Sequence, residues 1–172
     1  MSAVVSGTSS ARASALLERV GKCFESAVTH LAQLCSRDGK LVAKRLDEHQ
    51  WSSYQLALAD ADLLAARAVV DAPDASDLDR ALGLAYAVEA ITSVLAKLQD
   101  IYIATDLDPK PLHDIATSEE LHRFRRDAAH PGVLARLGIA VATAQLREVC
   151  YGGLEARADP PEQRGCFCAG RP

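Results

Sequence analysis

Apolar residues recur every three or four positions along most of this chain, the spacing of a single helix face, with Gly- and Pro-containing breaks between the runs. The first stripe comprises Leu16, Leu17, Val20, Cys23, Phe24, Ala27, Val28, Leu31 and Leu34. It predicts a helix over 11–35, stopped at Ser36-Arg37-Asp38-Gly39, where Gly39 suits a left-handed cap. A second helix is expected over 43–71, with Leu46, Tyr54, Leu58, Ala61, Leu64, Ala65, Ala68 and Val69 as its apolar positions, ending at Ala72-Pro73-Asp74. Ser76 or Asp77 can cap a third, reaching residue 103. Leu78, Leu82, Ala85, Val88, Ile91, Leu95, Leu98 and Tyr102 line one side of it, and Leu84, Ala87 and Val94 widen that side. So wide an apolar face implies burial against more than one neighbour. The stretch Thr105 to Pro109, with Pro111 beyond, reads as a break. Thr117-Ser118-Glu119-Glu120 has the form of a capping box, Thr117 meeting the N3 amide and Glu120 reaching back, and opens a short helix over 118–129. Pro131 and Gly132 interrupt, and a last helix is expected over 133–149.

Helices of these lengths are marginal alone in water. Burying a Leu or Val contributes roughly 1.5–3 kcal/mol, while ordering each residue's backbone costs roughly 1–2 kcal/mol. Several stripes must therefore meet, which short connections achieve in an antiparallel arrangement. The expectation is an all-α protein: an up-and-down four-helix-type bundle over 11–150, after a flexible leader over 1–10 and before a disordered Gly/Pro/Cys-containing tail over 151–172. The composition agrees, because 49% of the 172 residues are hydrophobic but only 5% are aromatic, and Ala and Leu favour closely packed helices.

A formal net charge of −4, with basic and acidic residues interspersed, argues against a nucleic-acid partner, which would need a basic stripe. No apolar run is read as a membrane span, and residues 1–14 lack the apolar core of a secretory signal, so a cytoplasmic location is expected. Cys23, Cys35 and Cys150 read as small buried hydrophobes. Cys166 and Cys168 form a C-x-C pair in the tail, too few ligands for zinc on their own.

Candidate chemistry is sparse. Glu119 and His122 make one E-x-x-H, but a carboxylate-bridged di-metal bundle needs a second one and two further glutamates. Glu89 lies among apolar residues and is either a desolvated acid or an edge residue reaching water. His49 and His130 are acid–base residue types without an evident partner, and no Gly-rich phosphate loop or nucleophile elbow is present. No catalytic, cofactor-binding or metal-ligating residue is assigned.

The order of segments resembles the carboxyl-terminal helical domain of the acyl-CoA dehydrogenase flavoprotein family. Val20-Gly21 and Ala27-Val28 resemble its small-residue first helix. Lys44, Leu46 and Glu48-His49-Gln50 resemble the K-x-L-x-x-x-Q start of its second, and Leu56-Ala57, Leu63 and Ala65-Ala66-Arg67 the L-A-x-x-x-x-x-L-x-A-A-R that follows. Residues 81–102 take the place of its third long helix, and Arg126-Asp127-Ala128 resembles its L-x-R-D-A signature, with Phe124 where the leucine stands. The resemblance implies a bundle that packs against its copies in dimers and tetramers, FAD as cofactor and oxidation of the CH–CH bond of acyl-CoA thioesters.

The departures change that implication. The family's phenylalanine-glycine pair before the second helix is replaced by Gly39-Lys40-Leu41-Val42-Ala43, with Arg37 displaced. Its third helix ends in Q-x-F-G-G-x-G, near the flavin's pyrophosphate, whereas this chain reads Asp100-Ile101-Tyr102-Ile103-Ala104-Thr105-Asp106. The place of the family's catalytic glutamate falls on or near Ala135, and the two domains that hold flavin and acyl chain are not recognised in the sequence. The expected function is an acyl-CoA-dehydrogenase-like, non-catalytic helical domain. It would act as a homo-oligomer, or as subunit or partner of a full-length flavin-dependent dehydrogenase in fatty acid metabolism, with FAD present only in such an assembly. The alternatives are a stand-alone helical interaction module or an inactive remnant.

Overall fold

The computed structural model describes residues 3–155 and is all-α apart from one two-residue-stranded hairpin. Helix α1 spans Ala3–Leu34. It takes in most of the segment expected as a flexible leader, because no proline precedes Ala13 and an anchored helix extends cheaply once nucleated. Ala13, Leu16, Leu17, Val20, Ala27 and Leu31 supply the anchor, all buried.

The break after α1 is a β-hairpin, β1 (Ser36–Arg37) pairing antiparallel with β2 (Lys40–Leu41). Its loop is Asp38-Gly39, with φ of 53° and 73°. Positive φ at both central residues is the type I′ signature, which Asp-Gly favours. Gly39 thus serves a hairpin rather than a helix cap.

The expected second helix divides at His49 (φ −109°, ψ 21°) into α2 (Ala43–Glu48) and α3 (Gln50–Val70). Arg45 accounts for the turn. Its guanidinium donates to the carbonyls of Ser36 at 2.7 Å and Leu34 at 3.3 Å, tying α2 to the end of α1.

Helix α4 (Asp77–Ala104) opens on a complete capping box, Ser76 Oγ accepting from the Asp79 amide while Asp79 reaches back to the Ser76 amide. It ends in a Schellman turn, with the Leu107 amide donating to the Tyr102 carbonyl at 2.9 Å and Asp106 at φ 58°.

The stretch expected as a break contains α5 (Lys110–Ala116), in which Pro111 falls in the first turn, where a missing N–H costs nothing. Helix α6 (Glu119–Ala129) begins where expected, but its cap is Ser118, whose Oγ accepts from the Leu121 amide. Thr117 Oγ1 instead donates to the His113 carbonyl, and Glu120 pairs with Arg19. Helix α7 covers Pro131–Glu155. It starts at Pro131 itself and runs through Gly152 and Gly153 into the segment expected as a tail.

By its contacts the chain divides into two units, Met1–Leu137 and Gly138–Pro172. In the second, among the described residues, helical turns carry Thr143, whose hydroxyl donates to the Ile139 carbonyl.

Within the first unit, α3 runs antiparallel to α4. Gly83 lies against Val69 near one end, and Lys97 reaches Asp62 toward the other. Helix α6 is antiparallel to α1 in the same way, with Arg12 on Asp127 at 2.8 Å and Arg19 on Glu120 at 2.9 Å. Helix α4 packs on α1, α3 and α6 together, as its wide apolar face requires. By length and mean hydropathy, 1.5 over its most apolar window, α4 matches a membrane span, a run that the expectation of none passed over. Half of that window is buried in the protein.

Candidate interaction surface

Helix α3 has two apolar faces. The inward one comprises Ser52, Leu56, Ala59, Leu63 and Ala66, spaced four, three, four and three apart, and all are buried. The outward one comprises Trp51, Tyr54, Leu58, Ala61, Ala65 and Ala68, spaced three, four, three, four and three. Trp51 stands 51% exposed and Tyr54 61%. The residues expected to bury α3 therefore belong largely to its outer face. The core register is one position away, hidden because Ser52 breaks the apolar pattern and alanine marks neither side. The exposed surface of α3 also carries Gln50, Asp60 and Arg67, but most of its exposed positions are apolar, which is unusual in a solvated domain.

The outer stripe carries no charge. Asp62 lies off it, paired at 2.9 Å with Lys97 of α4, whose ammonium also bonds Ser93 Oγ. Arg67 lies off it on the α1 side, its guanidinium over Gly21, where a side chain would collide with it. At the carboxyl end the stripe meets a hollow of about 310 Å³ lined by Val69, Ala72, Ala75, Asp79, Leu82, Gly83 and Tyr86. Gly83 permits the close approach there, since a Cβ would stand 3.1 Å from the Val69 carbonyl oxygen.

The residues considered for chemistry are dispersed. Glu119 accepts from Arg123 and Arg126, both at 3.0 Å, and the two guanidinium groups hold its carboxyl below the usual range; His122 is exposed. Glu89 is exposed at the edge of the α4 stripe. His49 is half-buried at the α2–α3 junction, and His130 is exposed, its Nδ1 accepting from the Gly132 amide at 3.1 Å. Ala135 is exposed on α7. Among the described residues no group of three His, Cys, Asp or Glu is placed to hold a metal. Cys166 and Cys168, and the side chain of Cys150, lie outside the described residues. In the Arg-Asp-Ala segment, Arg126 pairs with Glu119 within α6, while Asp127 pairs with Arg12 of α1 and Ala128 is buried, so only the last two bear on the docking of α6.

The end of α4 does not fit a flavin pyrophosphate. Ile103 projects 68% exposed where a glycine would be needed for close backbone approach. Exposed carboxylates at Asp100, Asp106 and Asp108 surround it and would repel a dianion. Thr105 fills the turn, its hydroxyl donating to the Ile101 carbonyl and its own carbonyl 2.8 Å from His30 Nε2.

One buried polar contact fixes α4 to α1: the Tyr102 hydroxyl donates to the Cys23 carbonyl at 2.9 Å. Burial pushes both the Cys23 thiol and the Tyr102 phenol above their ordinary values, so neither ionises near neutral pH. Cys23 packs in the hydrophobic core, 6% exposed. Tyr102→Phe should cost about 1 kcal/mol and lower the melting temperature by about 3 °C, as read by thermal denaturation, because the hydrogen bond is lost with the packing kept.

No protein-family model matches the chain, and no curated protein matches it in sequence.

Proposed function

We propose that this protein works by association: a helical module, similar to the carboxyl-terminal domain of acyl-CoA dehydrogenases, that acts as subunit or partner of a full-length flavin-dependent dehydrogenase. The observation that carries the reading is the outward stripe of α3, apolar from Trp51 to Ala68 beside a separate inward stripe. Flavin and catalytic base would come from the partner, since Ile103, Asp100 and Asp106 are unsuited to the cofactor and Ala135 cannot move a proton. The alternation of helix directions through α1, α3 and α4, and the Gly21–Arg67 contact joining two segments of the family resemblance, support the same reading.

The test is velocity sedimentation of the purified chain with the flavin-containing acyl-CoA dehydrogenase of its own organism, followed by flavin absorbance. The flavin boundary should move faster when the chain is present. Two independent boundaries, with acyl-CoA oxidation unchanged by the chain, would defeat the proposal.

The stand-alone interaction module is the second reading. It is favoured by the exposed apolar residues of α3 themselves, Trp51, Tyr54, Leu58, Leu64 and Val69, which need no flavoprotein to cover them.

A further inference from the structure

A cavity of about 500 Å³ lies between the second half of α4 and the short helix α5. The turn after α4, closed by the Leu107 amide on the Tyr102 carbonyl, reverses the chain, and Leu112 and Ile115, both 4% exposed, fix α5 to the core. A different face of α5 therefore lines the cavity: Lys110, His113 and Ala116, three residues apart. Leu95 and Gln99, four apart on α4, line it from the other helix, and Asp108 and Pro109 of the connection complete it. No residue of α3 takes part.

Cavities of this size, with apolar walls and a few polar groups, hold small molecules. Leu95, Pro109, Leu112 and Ala116 supply the apolar wall. The polar groups decide which molecule fits. Asp108 and Lys110 carry opposite charges two residues apart, yet neither forms an ion pair, with the other or with any residue among those described. Asp108 Oδ1 accepts from the Lys110 amide at 3.0 Å, which holds the carboxylate at the cavity and leaves its second oxygen to accept from elsewhere.

An anion at this place meets Lys110 but also Asp108, with the exposed Asp100 and Asp106 flanking the lining residues in the chain. A cation meets Asp108 but also Lys110. A molecule that carries both charges satisfies both groups and brings no net charge against the surrounding carboxylates. Asp108 and Lys110 stand at the same end of α5, so the two ligand charges must lie close together. A zwitterion with its charges at opposite ends would have to bury one of them against the apolar wall.

We propose that this cavity binds a free α-amino acid with a large aromatic side chain. Its ammonium bonds the Asp108 carboxylate, its carboxylate bonds the Lys110 ammonium, and its side chain lies against Leu95, Leu112 and Ala116. Both charges and the apolar group spring from one carbon, as the arrangement requires. A small side chain would leave most of the volume unfilled. Gln99 and His113 bring the further donors and acceptors that the two charged groups of the ligand need. The inference goes beyond association through α3 and does not rest on it.

Amide NMR of the full chain, titrated with L-tryptophan and L-phenylalanine, tests this. Ligands of about 12–15 heavy atoms at ordinary efficiency bind with Kd of about 0.1–1 mM. At least one of the two should saturate in that range, shifting amides of α5 and of the second half of α4. The matching amines, tryptamine and phenethylamine, lack the carboxylate, and the matching acids, indolepropionate and phenylpropionate, lack the ammonium. Each should bind about threefold more weakly, or worse, the ordinary weight of one exposed charge contact. Asp108→Asn keeps an oxygen for the Lys110 amide and removes the charge, and Lys110→Gln removes the opposite one. Both should weaken the amino acid about threefold or more, while Asp108→Asn strengthens the acid and Lys110→Gln the amine. A change that is merely structural does not reverse charge preference in this way.

No saturation by either amino acid below about 5 mM overturns the inference. So do equal affinities for amino acid, amine and acid, and variants that leave every affinity unchanged. Amide shifts confined to residues outside α4 and α5 overturn it as well, because the ligand then sits elsewhere.

Discussion

Phe124→Ala should remove about 3–5 kcal/mol of stability, a large share of what a domain of this size possesses. Helix α6 is polar over most of its surface, and only Leu121, Phe124 and Ala128 are buried on it. Phe124 is the largest of the three and is fully enclosed among the helices on which α6 packs, α1 and α4. Truncation leaves a cavity the size of a phenyl ring, and two smaller residues must hold the helix. The ion pairs to α1 cannot compensate. Arg19 and Glu120 are each more than a third exposed, as is Asp127 opposite Arg12, and exposed pairs contribute little. Urea denaturation followed by circular dichroism should show the midpoint falling steeply for Phe124→Ala and barely for Arg19→Ala. A fall in Arg19→Ala as large as that in Phe124→Ala would mean that charge, and not the aromatic ring, docks α6.

The elements that could be read from sequence are those where one local rule acts alone. The starts of α4 and α6 were legible from their capping residues, although at α6 adjacent Thr117 and Ser118 compete for the cap and the structure gives it to Ser118 rather than to the expected Thr117. The breadth of the apolar face of α4 announced its several neighbours, because Leu84, Ala87 and Val94 cannot all face one helix. The elements that misled are those where two rules compete. Asp38-Gly39 serves equally as a helix stop and a hairpin turn, and only pairing of Ser36 with Leu41 decides it. Pro109 and Pro111 suggest a break, yet a proline in the first turn breaks nothing, and α5 forms around them.

The outer face of α3 was visible from the beginning as a run of Tyr54, Leu58, Ala61, Ala65 and Ala68. Periodicity alone assigned it to the core. A helix carrying two apolar stripes gives no local sign of which one turns inward. The choice is made by tertiary packing, in which α3 meets both α1 and α4 and buries Ser52, Leu56, Ala59, Leu63 and Ala66. Trp51, the most informative residue of the surface, falls outside the positions that the core reading selects. Glu89, left open by the sequence between a desolvated acid and an edge residue, is exposed in the structure, as are His122 and His130.

The proposed function depends on which way α3 faces, and two adjacent leucines report it. Leu63 is 1% exposed and Leu64 is 57% exposed. The same substitution at the two positions removes the same atoms and differs only in orientation. Leu63→Ala should cost about 2.7–5 kcal/mol, through lost burial and a residual cavity where α3 meets the core. Leu64→Ala should cost less than about 1 kcal/mol, as for a surface position. The measurement is the unfolding free energy of both variants beside the parent chain in urea, at a concentration low enough to keep the chain monomeric. A large loss for Leu63→Ala with little for Leu64→Ala is the result expected. Equal losses, or the larger loss at Leu64, would mean that α3 turns the other face inward, and that the surface described here is part of the core.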